Sequence, residues 1–330
     1  MSFNLHNNHQ LISREQHYFL SRKLISIHSE DRDISKWKNS NEFQISLPTS
    51  FENVQSIRLI QISFPNKLPV FSNNYNNTKL KFTRSANPSS YDIITIQEGS
   101  YSPQELVSEL NSKFQSIFQS PRYVSVTYNS ILNKFKFISN DPQFSLIFDE
   151  KYSEYDSNSN IFNQYKNWGL GSFIGFEKKI YTNTPITTDN GNEFMIESPN
   201  CLDVFGENAI YMEIDKCNAY DEILPYNNTN NSTYNNNRNT KVNSAFAKIL
   251  INNKPNSDYE VNTLLGGKAN YGFCSFEPPL ENLSKFKFKF RYHDGRLVDF
   301  KNLSFNFTIE VNYLTNEILK YYTIRKPELL

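Results

Sequence analysis

Lys285-Phe286-Lys287-Phe288-Lys289-Phe290 alternates apolar and basic side chains over six residues without a break. Successive side chains of an extended chain point to opposite faces, so this stretch puts three Phe on one side and three Lys on the other. It reads as a half-buried strand whose Phe row enters a core and whose Lys row is solvated. Lys on a strand also blunts edge pairing. Just downstream, Asp294-Gly295 is a turn signal ahead of residues 297–300, and Phe305-Asn306-Phe307-Thr308-Ile309-Glu310-Val311 alternates again. Further from the centre, residues 24–27, 54–64, 79–82, 193–196, 209–214 and 245–251 are short β-rich runs, as is the series Phe43, Ile45, Leu47. Pro48, Pro65 and Pro69 read as breaks between them. The total is about a dozen strands, spaced as in an antiparallel sandwich.

One helix stands out against this background. Ser102-Pro103-Gln104-Glu105 supplies an N-cap Ser, a Pro at the first helical position and a Glu where a capping box needs it. Leu106, Val107, Leu110, Phe114, Ile117 and Phe118 follow at helical spacing, so residues 103–119 form an amphipathic helix that Pro121 stops. A strand over 91–96 precedes it. Two hairpin strands (123–128 and 134–138) and a further strand (144–148) follow. The result is a strand–helix–strand–strand–strand module with the helix on one sheet face.

Composition agrees with a mainly β chain. The 330 residues include 27 Phe, 20 Tyr and only 10 Gly, with about six Ala and roughly one Asn in seven residues. Few Ala beside many aromatic and β-branched residues disfavour helix and favour strand. Lys+Arg and Asp+Glu are 34 each, which removes the basic excess that nucleic acid or an anionic membrane normally attracts. Cys201, Cys217 and Cys274 are odd in number and widely spaced, suiting a reducing compartment and neither a disulfide framework nor a zinc site. The first residues lack an apolar signal region, and no apolar run is long enough for a transmembrane helix. Residues 226–240 are low-complexity and polar, and read as a long surface loop.

Candidate chemistry is sparse. Asp31-Arg32-Asp33 could pair carboxylates around a metal, but its Ser and Glu flanks favour a polar turn. His293-Asp294 could be an oriented general base, yet it falls in a tight turn without a nucleophile motif. Around Trp168 the Gly residues 169, 171 and 175 have spacing i, i+2, i+6, which is not that of a dinucleotide loop, so the segment reads as tight packing. No residue is assigned as catalytic, cofactor-binding or metal-ligating, and no cofactor is expected.

Two stretches carry a family resemblance. The first is Ile27-His28-Ser29-Glu30-Asp31-Arg32-Asp33, Trp37, Asn39-Ser40-Asn41-Glu42-Phe43, Leu47-Pro48, Asn53-Val54-Gln55-Ser56-Ile57-Arg58-Leu59 and Phe64-Pro65. The second is Phe276-Glu277-Pro278-Pro279-Leu280-Glu281-Asn282-Leu283, Lys287-Phe288-Lys289-Phe290-Arg291, Asp294-Gly295 and Val298-Asp299-Phe300. With Gly99 and Tyr101 at the helix module and Trp168-Gly169-Leu170 before Gly175-Phe176-Glu177, this order resembles minor capsid or penton-type virion structural proteins of nucleocytoplasmic large DNA viruses, of mimivirus-like or algal-virus-like lineages.

The resemblance implies an antiparallel jelly-roll sandwich without enzymatic activity, in or beneath an icosahedral shell. It would form pentons or cement capsomers. Implied partners are major capsid protein capsomers, other minor capsid proteins and further copies of the chain; nucleic acid is not among them. The implied place is the virion capsid, after synthesis in the host cytoplasm. The expected organisation is an N-terminal arm (1–21), a sandwich (22–83 and 191–312), an inserted α+β subdomain with loops (84–190) and a C-terminal tail (313–330). The alternative is a carbohydrate-binding or carbohydrate-cleaving β-sandwich protein using Trp37 or Trp168 as a sugar platform.

Overall fold

The computed structural model describes residues 18–65, 68–149, 167–188, 191–223, 242–251, 259–263, 272–293 and 295–316. The expected surface loop at 226–240, and most of both terminal segments, lie outside these residues. In chain order the first elements are β1 (Tyr18–His28), β2 (Glu42–Pro65), β3 (Lys79–Thr83), β4 (Asp92–Thr95), α1 (Pro103–Ile117), β5 (Val124–Asn129), β6 (Lys134–Ser139) and β7 (Ser145–Ile147). Next come α2 (Leu170–Phe173), β8 (Ile180–Thr182), β9 (Thr184–Thr188), β10 (Gly191–Glu197), β11 (Ala209–Ile214) and β12 (Tyr220–Ile223). The last are β13 (Val242–Ala245), β14 (Ala247–Leu250), β15 (Tyr259–Thr263), β16 (Phe273–Arg291) and β17 (Asn306–Asn316).

One antiparallel sheet, in the order β1-β17-β2-β16-β11-β14 with β15 also on β2, builds the sandwich by folding over on itself. β17 and β15 pair with the second half of β2, whereas the second half of β16 pairs with the first half of β2 and with β11. One layer is therefore β1, β17, late β2, and β15 with early β16. The other is early β2, late β16, β11 and β14. Rings meet across the gap: Phe288 and Phe307 have centroids 4.9 Å apart, and Phe64 meets Phe290 edge-on at 5.6 Å. The long strands switch layers at bulges, as in orthogonally cornered sandwiches and jelly rolls.

Those bulges explain why Pro48 does not end a strand as its type suggests. Leu283 pairs with Phe51 and Lys285 with Ser46, so residues 47–50 of β2 face Ser284 alone. Reciprocally, Ser275 pairs with Ser56 and Leu280 with Val54, so residues 276–279 of β16 face Gln55 alone. Pro48, Pro278 and Pro279 sit in these excursions, where a missing N–H breaks no ladder bond. The KFKFKF parity holds: Phe286, Phe288 and Phe290 are buried, Lys285 and Lys287 exposed, and Lys289 half-buried.

The second unit has its own core, from Phe71 to Val204. Sheets β4-β3-β7-β8 and β5-β6-β10-β9 enclose it with α1. The helix starts as its sequence requires: the Ser102 hydroxyl accepts from the Glu105 N–H, and the Glu105 carboxylate from the Ser102 N–H at 2.7 Å. Leu106, Leu110 and Phe114 are its buried face. Asn111 shields the edge strand β5, bonding the N–H and C=O of Val126 at 2.7 and 2.9 Å. The segment around Trp168 packs tightly, with α2 buried.

The chain is mainly β, an antiparallel jelly-roll-type sandwich carrying the expected strand–helix–strand–strand–strand module, whose strands divide between two sheets, β4 and β7 in one and β5 and β6 in the other, instead of forming one sheet under the helix. Four placements differ from expectation. Residues 79–83 (β3) and the strand at 193–196 (β10) pair within the second unit, not in the sandwich. Tyr18 to Ser21, placed in the N-terminal arm, and Tyr313 to Asn316, placed in the tail, pair with one another in β1 and β17. Strand pairing over long separations is not encoded in local pattern, which is why these partners were not legible.

Candidate functional site

β1 forms one rim of the sandwich, and among the described residues its strand partner is β17 alone. All eleven residues take part, from Tyr18 opposite Asn316 to His28 opposite Asn306. Ile27 is buried and Ile25 packs against the core, so the odd-numbered face points inward at this end. The other face carries Leu20 and Leu24, 63% and 50% exposed, with Arg22 between them. Arg22 bonds Glu310 of β17 at 2.6 Å, and Lys23 next to it is exposed as well. Tyr18 and Phe19 are also exposed large hydrophobics. A long edge with apolar side chains is a template for another chain unless charge, Pro or shortness protects it.

The most elaborate polar cluster lies on the other layer. Arg291 of β16, only 1% exposed, is ion-paired to Glu213 of β11 and, at 2.6 Å, to Glu222 of β12. Glu222 uses its other oxygen on His293 Nδ1, also at 2.6 Å, and Lys289 approaches Glu213 at 3.5 Å. Burial, and then the Glu222 carboxylate, push the Tyr211 hydroxyl well above its ordinary value. The geometry builds a clamp: Glu222 fastens the β12–β13 hairpin to the sandwich and compensates a buried guanidinium. Thus His293 has an acidic partner 71 residues away, which no local motif could reveal; Asp294 lies outside the described residues.

The other candidates resolve into structure. Asp33 Oδ1 accepts from the N–H and hydroxyl of Ser35 at 3.0 and 2.5 Å, and these bonds hold its carboxyl below the usual range. Arg32 donates to the carbonyls of Ser29, Trp37 and Lys38. Asp31-Arg32-Asp33 is therefore the polar turn. Among the described residues no cluster of three or more His, Cys, Asp or Glu could hold a metal ion. Trp168 is 4% exposed and edge-on to Phe148, which overturns its use as a sugar platform. Trp37 is half-buried on the sandwich core with Lys287 over its ring at 5.5 Å. Cys201 is exposed; Cys217 and Cys274 are buried and all three are free thiols.

Between the two units, Arg296 stacks over Tyr75 and Tyr292, with its carbon 4.7 and 5.6 Å from the ring centroids, and bonds Glu207 at 3.3 Å. The cavity beside it, lined by Leu68, Val70 and Phe173 among others, holds about 30 Å³, the space of a water rather than a substrate. No helix among the described residues is long and apolar enough to cross a membrane.

No protein family and no curated protein matches the chain. Among solved structures it is similar to the crystal structure of selenomethionine-labelled mavirus penton protein, with TM-score 0.41 and 10% identity over 90% of this chain and 99% of that one. It is similar to the same degree to a chain of the Sputnik virophage structure from cryo-EM, with TM-score 0.41 and 10% identity over 89% of this chain and 98% of that one. At that TM-score the likeness carries no argument about this chain's role.

Proposed function

We propose that this chain is a non-enzymatic structural subunit of an icosahedral virus capsid, a minor component that forms pentons or cements capsomers. The observation that carries the reading is the β1 rim. An eleven-residue edge strand presents Leu20 and Leu24 to water, with Arg22 between them paired to Glu310 and Lys23 exposed on the opposite row. Such an edge gains most from a lateral neighbour. The jelly-roll-type winding and the sequence resemblance point the same way, although fold alone does not imply role. Major capsid protein capsomers, other minor capsid proteins and further copies of the chain are the partners on this reading. The host cytoplasm is where it would be made.

Quantitative mass spectrometry of purified particles tests the proposal by giving copies of this chain relative to the major capsid protein. A number matching the fivefold vertices makes it the penton, and a multiple per facet makes it a cement. Absence from particles sinks the reading.

A further inference from the structure

The described chain passes between its two units twice, and each crossing changes core within a few residues. In the first, Leu68 is buried in the sandwich core, whereas Val70 packs on the core of the second unit and Phe71 is part of it. In the second, Val204 belongs to the second unit's core and Ile210 to the sandwich's. Gly206 lies between them at φ 72°, a left-handed conformation that glycine takes readily. A Cβ there would sit 3.0 Å from Val70 Cγ1, so the two crossings run side by side. Among the described residues no strand of one unit pairs with a strand of the other. Two packed bodies joined at one narrow place, with no shared sheet, change angle unless something else holds them.

At the seam a cation holds a ring from each unit. Arg296 follows β16 on the sandwich, and its guanidinium carbon lies 4.7 Å from the ring centroid of Tyr75 of the second unit and 5.6 Å from that of Tyr292 of the sandwich. It also bonds Glu207 Oε1 at 3.3 Å, and the same oxygen accepts from Asn167 Nδ2 at 2.8 Å. Glu207, in the second crossing, thereby ties an Arg of the sandwich to an Asn of the second unit. The Arg296 side chain is 20% exposed, so salt screens these contacts less than it would at the surface. Lys301 reaches Glu98 across the same seam at 3.9 Å, but both are more than a third exposed, and such a pair contributes little. A cavity of about 30 Å³ lies beside Arg296, so the two surfaces do not close-pack there.

We propose that Arg296 is the pin of a hinge: it fixes the angle between the sandwich and the second unit, and without it the two turn as intact bodies about Pro69 and Gly206. Each unit keeps its own core and its own strand pairing in that motion, so neither has to unfold. The hinge belongs to the chain by itself and does not rest on the capsid reading.

Pulsed electron paramagnetic resonance on the full chain tests the pin through one distance. Spin labels go on Cys201, exposed in the second unit, and on the exposed sandwich position of Lys285→Cys; Cys217 and Cys274 are buried and stay unlabelled in the folded chain. The two Trp report folding, Trp168 in one core and Trp37 on the other. The expected result is one narrow distance distribution with Arg296 present and one at least about twofold wider in Arg296→Ala, both with native Trp emission. A narrow peak moved to a new distance in Arg296→Ala also counts for the pin, because the angle has then changed. Lys301→Met, which removes the surface pair, should leave the distribution unchanged. If Arg296→Ala loses native emission, the isosteric Glu207→Gln decides in its place: it takes the carboxylate from the guanidinium and should widen the distribution. Widths and distances equal with and without the pin, a distribution already as broad with Arg296 present, or equal broadening by Lys301→Met overturns the hinge.

Discussion

Replacing Arg291 by Met should destabilise the sandwich by about 3 kcal/mol, the lower end of the 3–5 that follows loss of one partner from a buried ion pair. Met keeps the length and much of the volume of the Arg stem, so little of the effect is a cavity. What remains are two carboxylates that lost their common cation: Glu213, with Lys289 at 3.5 Å, and Glu222, 3% exposed in its side chain, with His293 at 2.6 Å. Those remaining partners place the estimate low in the range. Adding Glu213→Gln and Glu222→Gln removes the stranded charges, and the triple variant should return to within roughly 1 kcal/mol of the parent. Urea unfolding followed by far-UV circular dichroism and tryptophan fluorescence reads the change, since Trp37 packs on the sandwich core. A single variant within about 0.5 kcal/mol of the parent, or a triple variant less stable than the single, would refute the clamp.

Four smaller predictions follow from local geometry. Gly171→Ala puts a methyl 2.6 Å from both Phe148 Cδ1 and Trp168 Cη2, so thermal unfolding should show a loss of about 1–3 kcal/mol from overpacking. Ser102→Ala removes the acceptor for the Glu105 N–H and should cost about 1 kcal/mol by urea titration. For the thiols, iodoacetamide at pH 8 should label Cys201 in the folded chain and reach Cys217 only on unfolding, as peptide mapping would show. Burial, and then Cys274, push the Cys217 thiol from 9.0 to about 12. Because the folded value is the higher, its contribution is complete below pH 9 and drains away as pH rises toward 12. The stability gap between the parent and Cys217→Ala should therefore narrow over that window.

What could be read from the sequence was whatever depends on neighbours along the chain. The Phe parity of 286, 288 and 290 needs only period-two geometry, and the Ser102–Glu105 box needs only four consecutive residues. The hairpin around residues 129–133 is equally local. Pro48 misled because its tolerance depends on Ser284, a residue that faces it from far along the chain and leaves its position unpaired. The strands at 79–83 and 193–196 have a local pattern that fits either sheet, and only their partners, β4 and β6, decide the matter. The clamp was hidden for the same reason, since Glu222 reaches Arg291 and His293 from another strand pair.

The layer-switching strands also set a timetable for synthesis. Early β2 can find no ladder partner among the described strands until β16 emerges some two hundred residues later, because Phe43 pairs with Phe288 and Phe51 with Leu283. The second unit, whose core residues run from Phe71 to Val204, has all its strand partners within that span. A ribosome therefore releases a subdomain that can close while both halves of the sandwich still wait for each other. Contacts of long sequence separation form slowly and leave unpaired strand exposed meanwhile. The growing chain must carry β1 unpaired, and one edge of late β2 open, until its last described strand, β17, arrives between them.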